Sequence, residues 1–303
     1  MSRLLPHLIY LGLLFLINSC KTDMTAKKLK TEIGKELEKN KGVFALAFKD
    51  LQTGEEILLK EKEFFHAAST MKTPVMIEVF KQASQGKFSL NDSVTIKNEF
   101  KSIVDSSPYQ LDSVDDSEKE LYKQIGTKRK ISDLVYDMII VSSNLATNLI
   151  IEQVDAKKVT ATMRDMGAKD IEVLRGVEDG KAYEKGMNNR VTAYDLMLIF
   201  EQIAKGKAVD SFASDQMIKI LLDQRFNDVI PAHLPKEVKV AHKTGWITGL
   251  HHDSGIIFLP DGRKYVLVLL SKKLENEKEG VESMAKVSEM IYNYFKSKTR
   301  TVL

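Results

Sequence analysis

The sequence is poor in cysteine, in net charge and in long apolar runs. Cys20 is the only cysteine among 303 residues, so no internal disulfide can form and stability has to come from a buried core. Lys and Arg number 45 against 42 Asp and Glu, and a net charge of +3 gives no electrostatic case for nucleic-acid binding. No internal repeat or low-complexity tract is evident. The composition, 43% hydrophobic and 29% charged, is that of a soluble globular protein with one large domain or two small ones.

The one long apolar run lies at the N-terminus, at residues 8–17. It is too short for a stable bilayer-spanning anchor but suits a secretion signal. The run leads to Ile17-Asn18-Ser19-Cys20 and resembles a bacterial lipoprotein signal, which implies removal of residues 1–19 and lipid attachment at Cys20. A plain signal peptide with an incidental cysteine is the alternative. We expect an exported protein, either periplasmic or held at the cell envelope as a lipoprotein.

Hydrophobic periodicity predicts strands near both ends of the chain and helices between them. Strands are expected at 43–48, 56–59 and 238–245 and in a hairpin of 254–259 with 265–270. Helices are expected at 24–40, from Ser69 to near Gly86, and at 134–139, 145–154, 191–203, 214–223 and 281–295. The polar segment 87–130 contains an acidic run, Asp112–Glu120, which we interpret as solvated surface.

This order predicts an α+β architecture, an α/β sandwich built over residues 20–303. The strands from both chain ends form one antiparallel sheet packed with helices. The sheet lobe comprises about 24–66 and 205–303, and a central all-helical lobe comprises about 67–204. A cleft is expected between the two lobes.

Ser69 and Lys72 are three residues apart at the start of a predicted helix, so their side chains share one face. Pro74 is compatible with this only in the first helical turn. A serine hydroxyl is a weak nucleophile that a desolvated lysine can activate, and a helix N-terminus favours negative charge developing at the serine. The four-residue pattern alone is a weak signal, because it also occurs at ordinary amphipathic helix starts.

Two further short motifs follow in order, namely Ser142-Ser143-Asn144 before a helix and Lys243-Thr244-Gly245 at the end of a strand. With Ser69 and Lys72 they resemble the class A β-lactamase and penicillin-binding serine hydrolase family, whose motifs are S-x-x-K, S-D-N and K-T-G. Further similarity lies at 104–108, at 142–149 and at Asp253. The resemblance covers nearly the whole mature chain and implies a monomer without cofactor or metal.

The resemblance and side-chain chemistry together suggest a role for each residue of the first two motifs. Ser69 is the expected nucleophile and Lys72 its base. Ser142 can relay a proton to the leaving nitrogen when an amide or lactam opens. Asn144 can donate to a substrate carbonyl while it holds Lys72 in place.

The third motif is expected to bind substrate. Lys243 and Thr244 suit the carboxylate that β-lactams and acyl-D-alanine peptides both carry, and Gly245 allows close approach to the backbone. In the resembling family the oxyanion hole uses the backbone N–H groups that correspond to Ser69 and Trp246. The Trp246 side chain either stacks on substrate or forms a wall of the cleft.

The sequence departs from the family pattern at three places. Asn189 stands where the loop-closing aspartate of the family would be, which leaves Arg175 without its usual ionic partner. Ser143 replaces the usual aspartate of the second motif, at a position expected to be structural. In class A enzymes a glutamate follows an arginine by two residues and precedes Leu-Asn, whereas here Glu178 follows Arg175 by three and no Leu-Asn follows. We still expect Glu178 to be the base that hydrolyses the acyl-enzyme, ahead of Asp179 and Glu184. The alternative is that Glu178 faces solvent.

The motifs are compatible with three functions. The first is a class A β-lactamase-type serine hydrolase acting on a β-lactam. The second is a D,D-peptidase-like or slowly deacylating penicillin-binding protein. The third is a non-hydrolytic cell-wall-binding lipoprotein. The presence of Lys72 disfavours this function, because a protein that only binds the cell wall does not need a catalytic base. A metal site at His251-His252-Asp253 is disfavoured, since adjacent strand residues point to opposite faces.

Overall fold

The computed structural model describes residues 24–298, so the signal region and Cys20 lie outside the described part. In chain order its first elements are α1 (Ala26–Leu37), β1 (Val43–Asp50), β2 (Glu56–Leu59), β3 (Phe65–His66), a 3₁₀ turn (Ala68–Met71), α2 (Lys72–Ser84), β4 (Ser93–Thr95), β5 (Phe100–Lys101), β6 (Pro108–Tyr109), a second 3₁₀ segment (Lys119–Gln124) and β7 (Lys128–Lys130). There follow α3 (Ile131–Ile140), α4 (Asn144–Val154), α5 (Ala156–Asp165), α6 (Gly180–Glu184), β8 (Arg190–Val191), α7 (Ala193–Ala204), α8 (Ser211–Leu222), β9 (Lys239–Ile247), β10 (Leu250–Phe258), β11 (Lys264–Lys272) and α9 (Glu277–Ser297).

A five-stranded antiparallel sheet joins the two ends of the described chain, in the order β2-β1-β11-β10-β9. Strand β1 pairs with β11 from Val43 opposite Lys272 to Asp50 opposite Tyr265. Strands β10 and β11 form the predicted hairpin, with Phe258 opposite Lys264 at its closed end. The prediction of one sheet built from both chain ends is confirmed.

Both faces of the sheet are buried, which explains why its strands are nearly continuous apolar runs. Along β1, Phe44, Leu46 and Phe48 pack into one core with α1 and α9. Ala45 and Ala47 alternate with them and face a second, larger core that the middle helices share. The fold is therefore a sandwich in which the sheet lies between a terminal helical layer and the central helices.

The central region is not purely helical, because it also contains three short antiparallel ladders: β3 with β8, β4 with β7 and β5 with β6. Helix α7 packs against the sheet strands β1, β10 and β11, and α8 packs against β9. Within residues 24–298 no helix is long and apolar enough to cross a membrane.

The predicted helix start at Ser69 is wrong in one respect. Ala68 has a φ of 43°, a left-handed conformation that α-helical residues do not adopt, and the chain forms a 3₁₀ turn before α2 begins at Lys72. The Lys72 N–H bonds back to the carbonyls of Ser69 and Thr70, which joins the turn to the helix. Pro74 consequently lies within the first turn of α2, where a missing N–H costs nothing.

Candidate active site

The Ser69 turn lies directly against strand β9. A Cβ atom on Gly245 would be 2.9 Å from the backbone nitrogens of both Ser69 and Thr70, closer than any side chain tolerates. Glycine is therefore required here by space. The close approach places the end of the third motif beside the Ser69 amide, although the two are far apart in sequence.

Two histidines fix the backbone on the other side of the turn. His66 accepts a hydrogen bond from the Ala68 N–H at its Nδ1 (3.1 Å). The Nε2 of His252 donates to the His66 carbonyl (2.9 Å), while its Nδ1 accepts from the Ser271 N–H (3.2 Å). Burial lowers the pKa of His252 to about 4, so its ring is neutral at pH 7 and this tautomer satisfies both contacts.

Lys72 is completely buried and directs its ammonium group at the second motif. Its Nζ donates to the Ser142 carbonyl (2.7 Å), the Ser142 hydroxyl (3.1 Å) and Oδ1 of Asn144 (3.0 Å). Burial lowers the pKa of Lys72 to about 7, against the opposing effect of Asp116 and Glu178. A large fraction of Lys72 is therefore neutral at pH 7 and able to accept a proton.

Ser69 is partly exposed and contributes to the cleft, but within the described residues its hydroxyl makes no hydrogen bond to Lys72. When Lys72 is protonated, its three N–H donors are all occupied by Ser142 and Asn144. Neutral Lys72 has two N–H groups and a lone pair that can accept a proton. Contacts between a nucleophile and its base are often long in a free enzyme and tighten only with substrate, so this geometry is compatible with activation of Ser69 by Lys72.

The Ser142 hydroxyl lies between two lysines, 3.1 Å from Nζ of Lys72 and 3.1 Å from Nζ of Lys243. Its backbone has a φ of 59°, a left-handed conformation unusual for serine that costs on the order of 1–3 kcal/mol. With two nitrogens donating to its oxygen, the hydroxyl hydrogen remains available for a third group. The arrangement suits a proton relay.

Lys243 is also fully buried, and its Nζ donates in addition to the Thr244 carbonyl (2.8 Å). Burial and the nearby Lys72 hold the pKa of Lys243 well below its ordinary value, while Asp253 opposes them. A substrate carboxylate beside Lys243 would supply a counter-charge and favour the protonated form.

The Asn144 amide joins the two sides of the cleft. Its Oδ1 accepts from Lys72, and its Nδ2 donates to Oε1 of Glu178 (2.7 Å). Glu178 has a φ of 60°, and although the residue is exposed its carboxylate points to the cleft. The loss of solvent around that carboxylate raises the pKa of Glu178 above its usual value.

The two other acidic candidates of this loop do not reach the cleft lysines. Asp179 is buried and accepts from the Ser102 hydroxyl (2.8 Å) and the Ile103 and Ala182 N–H groups (2.9 and 3.1 Å), so it fixes the loop to its neighbours. Glu184 is exposed on the surface of α6. Of the three acidic residues in the 175–190 loop, Glu178 alone contacts a residue of the second motif.

Neutral groups hold the 175–190 loop where the family uses an ion pair. The Arg175 guanidinium donates to the carbonyls of Met187 and Gly176 and to Oδ1 of Asn188. Asn189 closes the loop by accepting from the Leu174 and Arg175 N–H groups. The sequence expectation that Arg175 lacks its usual aspartate partner at residue 189 agrees with these contacts.

The cleft itself has a volume of about 550 Å³ and is lined by Ser69, Ser142, Asn144, Glu178 and Trp246 together with the loop 114–117. The Trp246 side chain is 57% exposed at its rim. His251, His252 and Asp253 contact different partners, since His251 pairs with Asp228 and Asp253 with His242.

The sequence reasoning missed Asp116. The sequence predicts a solvated acidic run, but Asp116 is 2% exposed and its carboxylate accepts hydrogen bonds from the N–H groups of Asn144 and Leu145 (2.9 and 2.8 Å). The interpretation of the run as wholly solvated is wrong because helix α4 offers unpaired N–H groups that an anion satisfies. Only the missing aspartate at Ser143 signalled that a carboxylate had to come from elsewhere.

A family model described as the β-lactamase enzyme family matches residues 27–295. The chain belongs to the β-lactamase enzyme family. It is a serine hydrolase of the β-lactamase type, and the resemblance inferred from the motifs is confirmed. None of the functionally curated proteins matches it in sequence.

Solved structures of this type share its fold. A β-lactamase from Sphaerobacter thermophilus is 23% identical, with a TM-score of 0.76 over 89% of this chain and 98% of that one. A class A β-lactamase representative from Bacteroides cellulosilyticus is 19% identical, with a TM-score of 0.75 over 90% and 99%. A Leu-to-Glu mutant of PBP-A, solved as an acyl-enzyme complex with penicillin G, is 25% identical, with a TM-score of 0.76 over 90% and 97%.

Proposed function

We propose that this chain opens β-lactam rings through an acyl-Ser69 intermediate and then hydrolyses that ester with Glu178. The observation that carries the proposal is the Asn144 amide, which bonds Lys72 through its oxygen and Glu178 through its nitrogen. One side chain thereby holds an acylation base and a deacylation base at the same cleft.

Acylation would use residues on the sheet side of the cleft. Neutral Lys72 takes the Ser69 proton while the Ser69 oxygen bonds to the carbonyl carbon of the lactam. The ring C–N bond breaks, Ser142 gives its proton to the leaving nitrogen, and Lys72 returns a proton to Ser142. Lys243 and Thr244 hold the substrate carboxylate, and the backbone N–H groups of Ser69 and Trp246 stabilise the oxyanion.

Deacylation would use the loop side. A water oxygen bonds to the ester carbonyl carbon, its proton passes to Glu178, and the Ser69 oxygen leaves and regains a proton. The raised pKa of Glu178 makes it a better base than an ordinary glutamate.

A second candidate is slow release of the acyl-enzyme, as expected of a penicillin-binding protein. The late position of Glu178 in the loop and its φ of 60° favour this alternative. A relative, PBP-A, was solved as an acyl-enzyme with penicillin G, which supports reaction of this family with penicillins. Acyl-D-alanine peptides would then be the natural substrate.

A stopped-flow trace with a chromogenic cephalosporin separates the candidates. Sustained turnover is the expected result. A burst of product equal to the enzyme concentration, followed by no further turnover, would show that the acyl-enzyme is released slowly and would favour the second candidate. No signal, together with no covalent labelling by a fluorescent penicillin, would leave a non-hydrolytic cell-wall-binding protein and overturn the proposal.

We also propose that Cys20 carries lipid and holds the enzyme, as a monomer, at the cell envelope. One acyl chain gives only marginal membrane binding, so two or more chains on this residue are needed. Changing Cys20→Ala should move the protein from the membrane fraction to the soluble fraction. A variant that stays with the membranes would show that another feature anchors it.

A further inference from the structure

Asp116 is a buried carboxylate that the proposed chemistry does not yet use. It belongs to the loop before the second 3₁₀ segment, 28 residues before Asn144 in the chain, and is 2% exposed. Burying a carboxylate destabilises the folded state unless hydrogen-bond donors surround it. The donors around Asp116 therefore indicate its role.

Four donors converge on one oxygen of this carboxylate. Oδ2 accepts from the Asn144 and Leu145 N–H groups (2.9 and 2.8 Å), from the Tyr122 hydroxyl (3.0 Å) and, more weakly, from the Ser143 hydroxyl (3.4 Å). The other oxygen accepts from the Glu118 N–H (3.0 Å). Burial and the adjacent Asp116 charge raise the pKa of Tyr122, so its hydroxyl stays a donor.

The two backbone contacts lie at the N-terminus of α4, where N–H groups lack helical partners and the helix dipole favours an anion. Ser143 satisfies a further N–H, that of Ala146, through its own hydroxyl (3.2 Å). Ser143 therefore caps the helix as a neutral group, while the negative charge comes from Asp116. The usual aspartate of the second motif would supply such a charge from position 143 itself.

The anchored residues are those that hold Lys72. Ser142 and Asn144 together provide all three acceptors of its ammonium group. Ser142 is in the left-handed conformation, which persists only where contacts on both sides fix it. On its C-terminal side those contacts are the bonds from Ser143 and Asn144 to Asp116 and the Ser143 N–H bond to the Asp137 carbonyl (3.1 Å).

We infer that Asp116 is a positioning residue that supplies, from a distant loop, the carboxylate missing from the second motif and holds Ser142 and Asn144 in register with Lys72. The inference rests on the proposed acylation of Ser69. Asp116 does not touch substrate in this role. It acts through the start of α4.

The charge of Asp116 also acts on Lys72 directly. Three charged groups face the Lys72 ammonium from neighbouring elements: Asp116 from its loop, Glu178 from the 175–190 loop and Lys243 from β9. Asp116 and Glu178 raise the pKa of Lys72 against the dominant effect of burial. Removing the Asp116 charge should therefore lower that pKa and move the acid limb of acylation to lower pH, which a purely structural role would not do.

The test compares fluorescent-penicillin labelling rates over a pH range for four full-length variants. Asp116→Asn should lower the plateau rate at least tenfold and shift its acid limb to lower pH. Ser143→Asp alone should also slow labelling, because it places a second carboxylate beside Asp116. Asp116→Asn with Ser143→Asp should recover the plateau to within about threefold of the natural chain. Glu120→Gln, an exposed carboxylate of the same acidic run, should change neither quantity.

Two results would overturn the inference even though penicillin acylates the natural chain. In the first, Asp116→Asn has the same plateau labelling rate and the same acid limb as the natural chain. In the second, the double variant is labelled no faster than Asp116→Asn. If the natural chain is not labelled at all, the proposed function fails instead. Thermal unfolding of every variant identifies misfolding, and if Asp116→Asn alone does not fold, the double variant is compared with Ser143→Asp and has to be the faster of the two.

Discussion

The two sides of the cleft are built in different ways. The acylation side consists of residues at the start of α2, just before and at the start of α4, and in the middle of β9, where Lys72 and Lys243 are fully buried and both contact Ser142. The deacylation side is a loop in which a single contact, from Asn144, fixes the Glu178 carboxylate to the second motif. Helices and a strand buried in the core position the residues of acylation, whereas hydrogen bonds within a loop position the base of deacylation. The second step should therefore be the easier one to disturb without loss of the first.

Removing the nucleophile abolishes both acylation and deacylation and should have the largest effect on activity. Ser69→Ala should abolish covalent labelling by a fluorescent penicillin, because nucleophile loss costs on the order of 10⁶ in kcat in serine hydrolases. Circular dichroism should show an unchanged fold, since Ser69 is only partly buried. Labelling that persists in Ser69→Ala would disprove the assignment of the nucleophile.

Removing the base of the loop side should separate the two steps. Glu178→Gln should slow deacylation by about 10²- to 10⁴-fold with little change in acylation, because a general base contributes about that much. Mass spectrometry during turnover should show acyl-enzyme accumulating. Glu184→Gln, an exposed carboxylate of the same loop, is the matched control and should turn over normally. Equal turnover in Glu178→Gln and the natural chain would mean that another group activates water.

A smaller change in the loop should affect the same step less. A Cβ at Gly176 would lie 2.2 Å from Oδ1 of Asn148, the atom that also accepts from the Val177 N–H (2.7 Å). Gly176→Ala should therefore displace the loop next to Glu178, and displacements of about 1 Å cost up to about 10²-fold in rate. We expect deacylation to fall at least tenfold while the labelling rate stays within about twofold. A matching fall in both rates would show that the two sides are not independent.

The pH dependence of the two steps provides the finest comparison. Acylation needs neutral Lys72, so its rate should rise with pH and level off above about pH 7, the pKa that burial imposes. Glu178→Gln removes a negative charge that raises this pKa, so the acid limb of labelling should move to lower pH. Deacylation needs ionised Glu178, so its own acid limb should lie above the ordinary glutamate pKa of 4.5. If the acid limb of the labelling rate lies at the same pH in Glu178→Gln and the natural chain, the ionisation of Lys72 does not determine that limb.

The difference between the two sides also explains what the sequence could predict. The sequence predicts the motif residues at 69–72, 142–144 and 243–245 because each is a short pattern next to or within a helix or strand whose periodicity is readable. The residue offset at Glu178 could be noticed but not resolved, because the position of its carboxylate depends on a loop conformation, here with a φ of 60°, that no periodicity predicts. The sequence does not predict the role of Asp116, because its partners at the start of α4 are 27 to 29 residues away and its neighbours Asp112, Asp115 and Glu120 are exposed.

The pairing of β1 with β11 also determines when the enzyme can fold. Each residue of β1 is paired with a residue of β11 more than 200 positions later, and the Ser69 turn lies against β9, which also comes late in the chain. Contacts so distant in sequence form slowly, and here they cannot form before most of the chain has been synthesised. A ribosome-bound chain that ends before Lys264 should therefore remain sensitive to protease and unreactive to penicillin, and both properties should change together once β11 is released.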